Sequence, residues 1–168
     1  MEIVSLPVED WQAYRALRLR ALKEDPLAFG SSFAGALELP EERWKARLAA
    51  ALQGEGSWLL FAREQGRLVG MIGAFVDVAS PDMATIISVY VPAEDRGKGI
   101  STRLMETILC ELSKAPYLKR AALSVNATQQ AAIGLYRRFG FEPKGSEPAM
   151  TGNGLPVEQI LMERALPY

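Results

Sequence analysis

The stretch "TIISVYVPAEDRGKGISTRL", Thr85 to Leu104, decides how this chain is read. Thr85 to Val91 is rich in Ile and Val and predicts a buried strand. Pro92 has no N–H to give to a ladder, so the strand ends there. From Gly97 onward Ile100, Leu104, Ile108 and Leu112 recur every fourth position, with Met105 and Leu109 widening the stripe. That period predicts a helix opening inside the RGKGIS segment, with both glycines at its first turn. The first N–H groups of a helix lack internal partners and carry partial positive charge. Gly97 and Gly99 remove side chains that would hold an anion away from them, while Arg96 and Lys98 add charge on either side. A pyrophosphate fits such a turn. An ordinary strand-to-helix turn, with Glu94 or Asp95 as a helix-end group, fits the same residues. Two other phosphate motifs are excluded by position. A P-loop needs Ser or Thr after its Lys, but Gly99 follows Lys98. A dinucleotide fingerprint counted from Gly97 needs Gly where Thr102 stands.

Before this stretch, Glu2 to Leu6 predicts a short edge strand ended by Pro7. Trp11, Tyr14, Leu17 and Ala21 mark an amphipathic helix over about Glu9 to Glu24, with Arg15, Arg18 and Lys23 on its polar face and Asp25-Pro26 as its stop. The segment "DPLAFGSSFAGALELP" is a loop that carries Phe29 and Phe33. Both rings can fill the core, or either can line an acceptor pocket. Glu41 to Leu52 is a second helix. "SWLLFARE" and "RLVGMIGAFVDVA" form a hairpin across Gln65-Gly66, and the organising strand joins the same sheet. After the long helix come the strand "RAALSVN", the short helix "TQQAAIGLYRRFG" closed by Gly140, a strand from Phe141, and a last strand over Val157 to Met162. The order predicts a mixed α/β sheet in which the organising strand and Ala121 to Val125 run parallel through a helical crossover.

Composition bounds the chemistry. The chain has 168 residues, 49% hydrophobic and 23% charged, which suits one domain over 1–168 with a sizeable core. A net charge of -1 gives no general reason to expect a nucleic-acid partner. No segment approaches the ~20 apolar residues that span a bilayer, and "MEIVSLPVEDW" lacks a signal-peptide run, so the expectation is a cytoplasmic protein without a membrane partner. The single Cys110 excludes an internal disulfide and is read as a small buried residue. Histidine is absent, which removes the commonest general base, and there is no Cys/His cluster to hold a metal. Acid and base work falls to carboxylates, Tyr, Lys or water.

Arg96, Gly99 and, with a small Ser in place of Gly or Ala, Ser101 resemble the acetyl-CoA signature Gln/Arg-x-x-Gly-x-Gly/Ala of the GNAT superfamily of N-acetyltransferases. A second segment, "LSVNATQQAAIGLYRRFGF", resembles the superfamily's closing motif, with Leu123, Val125, Asn126, Ala132, Leu135, Tyr136, Gly140 and Phe141 in register. Gln129 stands where many members carry Asn, and Asn126 lies three residues earlier. Either amide is a candidate cofactor contact, and Asn126 and Thr128 can equally cap the next helix. "RLRALKEDPLAFGSS" also looks like N-terminal regions of the superfamily.

The resemblance implies a mostly antiparallel sheet of six to seven strands, with a splayed central parallel pair and about four flanking helices. It implies acetyl-CoA as cosubstrate without a metal, held by Arg96, Gly97, Lys98, Gly99, Ile100 and Ser101 around the pyrophosphate. The backbone of Val89, Tyr90 and Val91 would hold the pantetheine. It casts Tyr136 as the acid that protonates the departing sulfur, a core role being the alternative, and places an amine acceptor near Phe29, Phe33 and Ser88. The acceptor would be a small molecule, an amino acid or a peptide or protein amine, and a homodimer is among the assemblies implied. No Glu stands on the organising strand, so Glu24, Asp25, Asp77 and Glu147 compete with water or an already neutral amine for the role of base. The expectation is that no single carboxylate is essential. A CoA-binding module with a regulatory or interaction role is the alternative function.

Overall fold

The β-branched and aromatic runs lie side by side in a seven-stranded sheet in the computed structural model, which describes residues 1–168. The strands are β1 (Glu2–Val4), β2 (Ser57–Glu64), β3 (Arg67–Val76), β4 (Met83–Tyr90), β5 (Arg120–Asn126), β6 (Glu142–Met150) and β7 (Pro156–Ala165). Their order across the sheet is β1-β2-β3-β4-β5-β7-β6. Neighbours are antiparallel except β4 and β5. The hairpin between β2 and β3 turns on Gln65 and Gly66, both at positive φ, as a two-residue turn matched to strand twist requires.

Five helices flank the sheet: α1 (Trp11–Glu24), α2 (Phe33–Leu37), α3 (Glu41–Gln53), α4 (Ile100–Ser113) and α5 (Gln130–Arg138). The short α2 lies in the stretch expected to be a loop. Its first turn is closed by Ser32, whose hydroxyl accepts from Gly35 N at 3.0 Å, and Ala36 anchors it in the core. The apolar stripe of α4 is buried at every expected position, from Ile100 to Leu112. Cys110 is exposed, contrary to expectation, because it points away from that stripe. On α5 the buried face is Ile133, Leu135 and Tyr136, whereas Ala132 and Phe139 are half-buried. Tyr136 therefore sits within the apolar face, its ring edge-on to Phe141 at 6.2 Å.

The core lies on both faces of the sheet. α4 and α5 cover one face, around Leu104, Ile108 and Phe141. α1 and α3 cover the other, where Tyr14 meets Trp44 and Phe61 edge-on at 5.2 and 5.5 Å. No helix is long and apolar enough to cross a membrane.

Candidate functional site

The parallel pair opens the site. β4 and β5 are in register only over Met83–Thr85 and Arg120–Ala122, although both strands run on, to Tyr90 and Asn126. Beyond Thr85 the two strands diverge, and β4 carries a bulge there. Met71 pairs with Tyr90 and Gly73 with Ile87, which leaves one extra residue on β4, and Ser88 sits at φ 59°. A bulge leaves a residue out of the ladder and re-aims its neighbours. The result is a cleft of about 1010 Å³ between the diverging strands. Every residue expected to hold the cosubstrate or the acceptor, and Tyr136, lines it except Lys98 and Phe33.

The glycine turn forms one end. Gly97 and Gly99 both sit at φ 77°, and a Cβ at either would meet nothing within 4 Å. They precede α4 instead of forming its first turn, because this left-handed backbone belongs before a helix. Gly99 is itself the N-cap residue, so neither Glu94 nor Asp95 caps the helix. Asp95 is buried beneath the turn, where its carboxylate accepts from Arg67 Nη1 at 2.7 Å, Arg67 Nη2 at 2.9 Å and Lys98 Nζ at 3.0 Å. The Arg67 guanidinium, helped by Lys98, holds the Asp95 pKa down to about 2. Lys98 is thus committed to fixing the turn and lies off the cleft wall. Arg96 Nε donates to Val91 O at 2.9 Å, which ties the turn to the end of β4.

Three side chains of α5 and its approach also line the cleft. Tyr136 is 7% exposed, and burial, with the nearby Asp25 carboxylate, pushes its hydroxyl up to about 12. Asn126 Oδ1 accepts from Thr128 N at 3.0 Å and from Thr128 Oγ1 at 2.8 Å, shaping the turn before α5. Gln129 Nε2 donates to Asp25 Oδ1 at 3.1 Å, so this amide bridges α5 to the end of α1.

Asp25 carries the most weight among the acids. Of Glu24, Asp25, Asp77 and Glu147, only Asp25 lines the cleft. Glu24 is taken by Tyr90 Oη at 2.6 Å and by Arg20 Nε at 2.6 Å, which lower its pKa. Asp25 makes no ion pair, and its partial burial raises its pKa above the ordinary carboxylate value. Both residues were visible as candidates in the sequence, and only the fold separates them.

The opposite wall comes from α1 and the loop after it. Arg18, expected on the polar outer face of α1, turns inward: its Nη1 donates to Ser88 Oγ at 3.0 Å, and its guanidinium carbon stands 4.6 Å from the centre of the Phe29 ring. Burial lowers its pKa. Arg18 stands four residues from both Tyr14 and Leu22, two buried members of the stripe, which is the sequence signal for this orientation. Phe29 is buried and lines the cleft; Phe33 packs into the α1 side of the core instead, at the first turn of α2. The loop holding Phe29 is braced by the β6–β7 connection. Gly152 N donates to Phe29 O at 3.2 Å, and a Cβ at Gly152 would stand 2.1 Å from the Ser31 carbonyl carbon.

The sequence matches the acetyltransferase (GNAT) family over residues 18–141. The chain belongs to that family. Among curated relatives of this GNAT chain is the L-methionine sulfoximine/L-methionine sulfone acetyltransferase of Pseudomonas paraeruginosa, 38% identical over 61 residues. That match covers 36% of this chain and 35% of the relative, so the chain spans about a third of that enzyme's length. Two solved structures share the fold. A GNAT-family acetyltransferase from Streptococcus pneumoniae superposes with a TM-score of 0.85, 20% identity and 98% coverage of both chains. A phosphinothricin acetyltransferase from Sinorhizobium meliloti, in complex with acetyl-CoA, superposes with a TM-score of 0.81 at 17% identity, covering 98% of this chain and 88% of that one. The seven-stranded sheet with its parallel pair is therefore a fold shared with GNAT-family structures.

Proposed function

We propose that this GNAT chain is an N-acetyltransferase that takes acetyl-CoA as cosubstrate and acetylates an amine, acting as one domain in the cytoplasm. The observation that carries the proposal is the diverging β4–β5 pair, with an open glycine turn at one end and Tyr136 and Asp25 together in its middle. The cleft suits the cosubstrate. Gly97 and Gly99 present backbone N–H groups without overhanging side chains at the start of a 14-residue helix, which favours a pyrophosphate. β4 beyond Thr85 has no partner on its β5 side, leaving the backbone of Val89, Tyr90 and Val91 available to an extended pantetheine. Ile100, Ser101, Asn126 and Gln129 also line the cleft.

Acetyl-CoA supplies an activated acetyl thioester when bound. An amine attacks only when neutral, so a group in the cleft must take its proton. Asp25 Oδ is the unpaired carboxylate placed for that, and its raised pKa makes it a better base than an exposed aspartate. Tyr136 Oη holds a proton throughout the neutral range, so it is the donor for a departing thiolate. Gln129 fixes the Asp25 carboxylate between the two tasks. One carboxylate thus takes the role that the sequence left shared among several acids and water.

The test is acetyl-CoA binding followed by turnover. Native protein is expected to bind acetyl-CoA and CoA by calorimetry and to release thiol when amines are added. Gly99→Trp, which loads a bulky side chain onto left-handed backbone, is expected to lose both. Binding without thiol release from any amine would support the regulatory CoA-binding module instead.

A further inference from the structure

The cleft contains a cation with no anion to answer it. Arg18 carries five N–H donors, and one meets a protein acceptor, the hydroxyl of Ser88. Its charge faces no carboxylate: it takes part in no ion pair, and the titratable groups that act on it are the Tyr14 phenol and another cation, Arg47. Arg20, two residues away on α1, shows the contrast, since it bridges Glu24 and Glu94 at 2.6 Å each. A partly desolvated guanidinium is costly unless an anion joins it. Phe29 stacks against one face and Ser88 pins one edge, so the remaining edge of the planar fork is held at a fixed angle toward the cleft. Such a fork matches the two oxygens of a carboxylate.

Position narrows the ligand. Ser88 is the bulge residue of β4, directly before Val89, so an anion on Arg18 lies beside the stretch of backbone that flanks the thioester site. An amine attacking there must carry its carboxylate close to the nitrogen. Asp25, directly after the last residue of α1, lines the same cleft as Arg18, with a raised pKa that suits a carboxylate awaiting an ammonium. We infer that Arg18, steadied by Ser88 and Phe29, seats the acceptor's carboxylate, so that the acceptors are free amino acids acetylated on the amine beside that carboxylate. This rests on the transferase function proposed above and names its acceptor class. A peptide N-terminus lacks the adjacent carboxylate and is disfavoured.

The experiment compares the twenty standard L-amino acids with their carboxamides as acceptors for the purified full chain and acetyl-CoA, with native protein, Arg18→Gln and Arg18→Lys. Native protein is expected to acetylate at least one free acid with a kcat/KM about 10- to 100-fold above its carboxamide, the range expected for losing a charge-assisted hydrogen bond. Arg18→Gln is expected to erase that preference, with the acid's KM raised about 10- to 100-fold and its kcat/KM brought down to that of the carboxamide. Arg18→Lys is expected to keep part of it. Equal use of acid and carboxamide by native protein overturns the inference, and needs no variant that must fold. Retention of the preference by Arg18→Gln overturns it as well. Thiol release confined to amines without a carboxylate removes the acceptor class while leaving the transferase intact; no release with any amine removes the transferase itself.

Discussion

Asp25 and Asp95 line the same cleft and have been driven in opposite directions. Asp95 is 1% exposed, yet two cations close on it and its pKa falls to about 2. Asp25 is less deeply placed, meets a neutral amide, and its pKa rises. A carboxylate answered by Arg67 and Lys98 is a fastener: it pins the glycine turn to β3 and has no affinity left for a proton. A carboxylate answered by Gln129 is held in place with its basicity intact. Burial alone does not mark a reactive acid; the partner decides whether burial is compensated or left as usable basicity.

The comparison breaks most visibly at Asp25. Asp25→Asn keeps the shape and removes the proposed base, and kcat/KM is expected to fall about 10²- to 10⁴-fold with acetyl-CoA affinity unchanged. Stability should move the other way. A raised folded-state pKa stabilises only below the ordinary carboxylate range and that contribution is lost as pH rises through the raised value, so at pH 7 the variant is expected to melt no lower than native protein. Tyr136→Phe sharpens the pairing of acid with base: kcat is expected to drop about 10²-fold at neutral pH. In native protein the rising limb of the pH–rate profile should belong to Asp25, above the usual aspartate value, and the falling limb from Tyr136 should lie near pH 12.

Asp95→Asn is expected to do the reverse of Asp25→Asn. It should cost about 1.5–3 kcal/mol of stability in chemical denaturation and weaken acetyl-CoA binding, while turnover at saturating acetyl-CoA stays near native. The depressed pKa contributes stability above the ordinary aspartate value that is lost as pH falls toward about 2, and the variant should lack that acid-side loss. Gly152→Ala presses on the loop that holds Phe29. Its Cβ would collide with the Ser31 backbone at 2.1 Å, so a loss of about 1–3 kcal/mol is expected, with the acceptor KM raised and the acetyl-CoA KM unmoved. Cys110→Ser, at an exposed position remote from both aspartates, should change stability by less than about 0.5 kcal/mol.

The elements were legible because period and punctuation coincide in this chain. The stripe from Ile100 to Leu112, the stop at Pro92 and the Gln65-Gly66 turn each state one structure locally. The position of the glycine turn beside the long helix and of Tyr136 on α5 was legible for the same reason, since both lie inside local motifs. What was not legible depends on distant parts meeting. Arg67 is on β3 and reaches Asp95 across 28 positions of sequence, so Asp95 read as a helix-end group and Lys98 as a free cation. Gln129 meets Asp25 across 104 positions, which is why one acid could not be chosen among four. Arg18 looked like part of a solvated face because its partners, Ser88 and Phe29, come from the bulge of β4 and a loop. The α2 turn was hidden by its length: Phe33–Leu37 is too short for a period to register.

The most direct test of this account is the initial rate of thiol release from acetyl-CoA with the amino-acid acceptors, measured for native protein and Asp25→Asn at equal acetyl-CoA occupancy. Amine-dependent release by native protein, slowed at least about 100-fold in Asp25→Asn, is the expected result. Native protein that fills with acetyl-CoA yet releases no thiol with any amine, or an Asp25→Asn variant as fast as native, would contradict it.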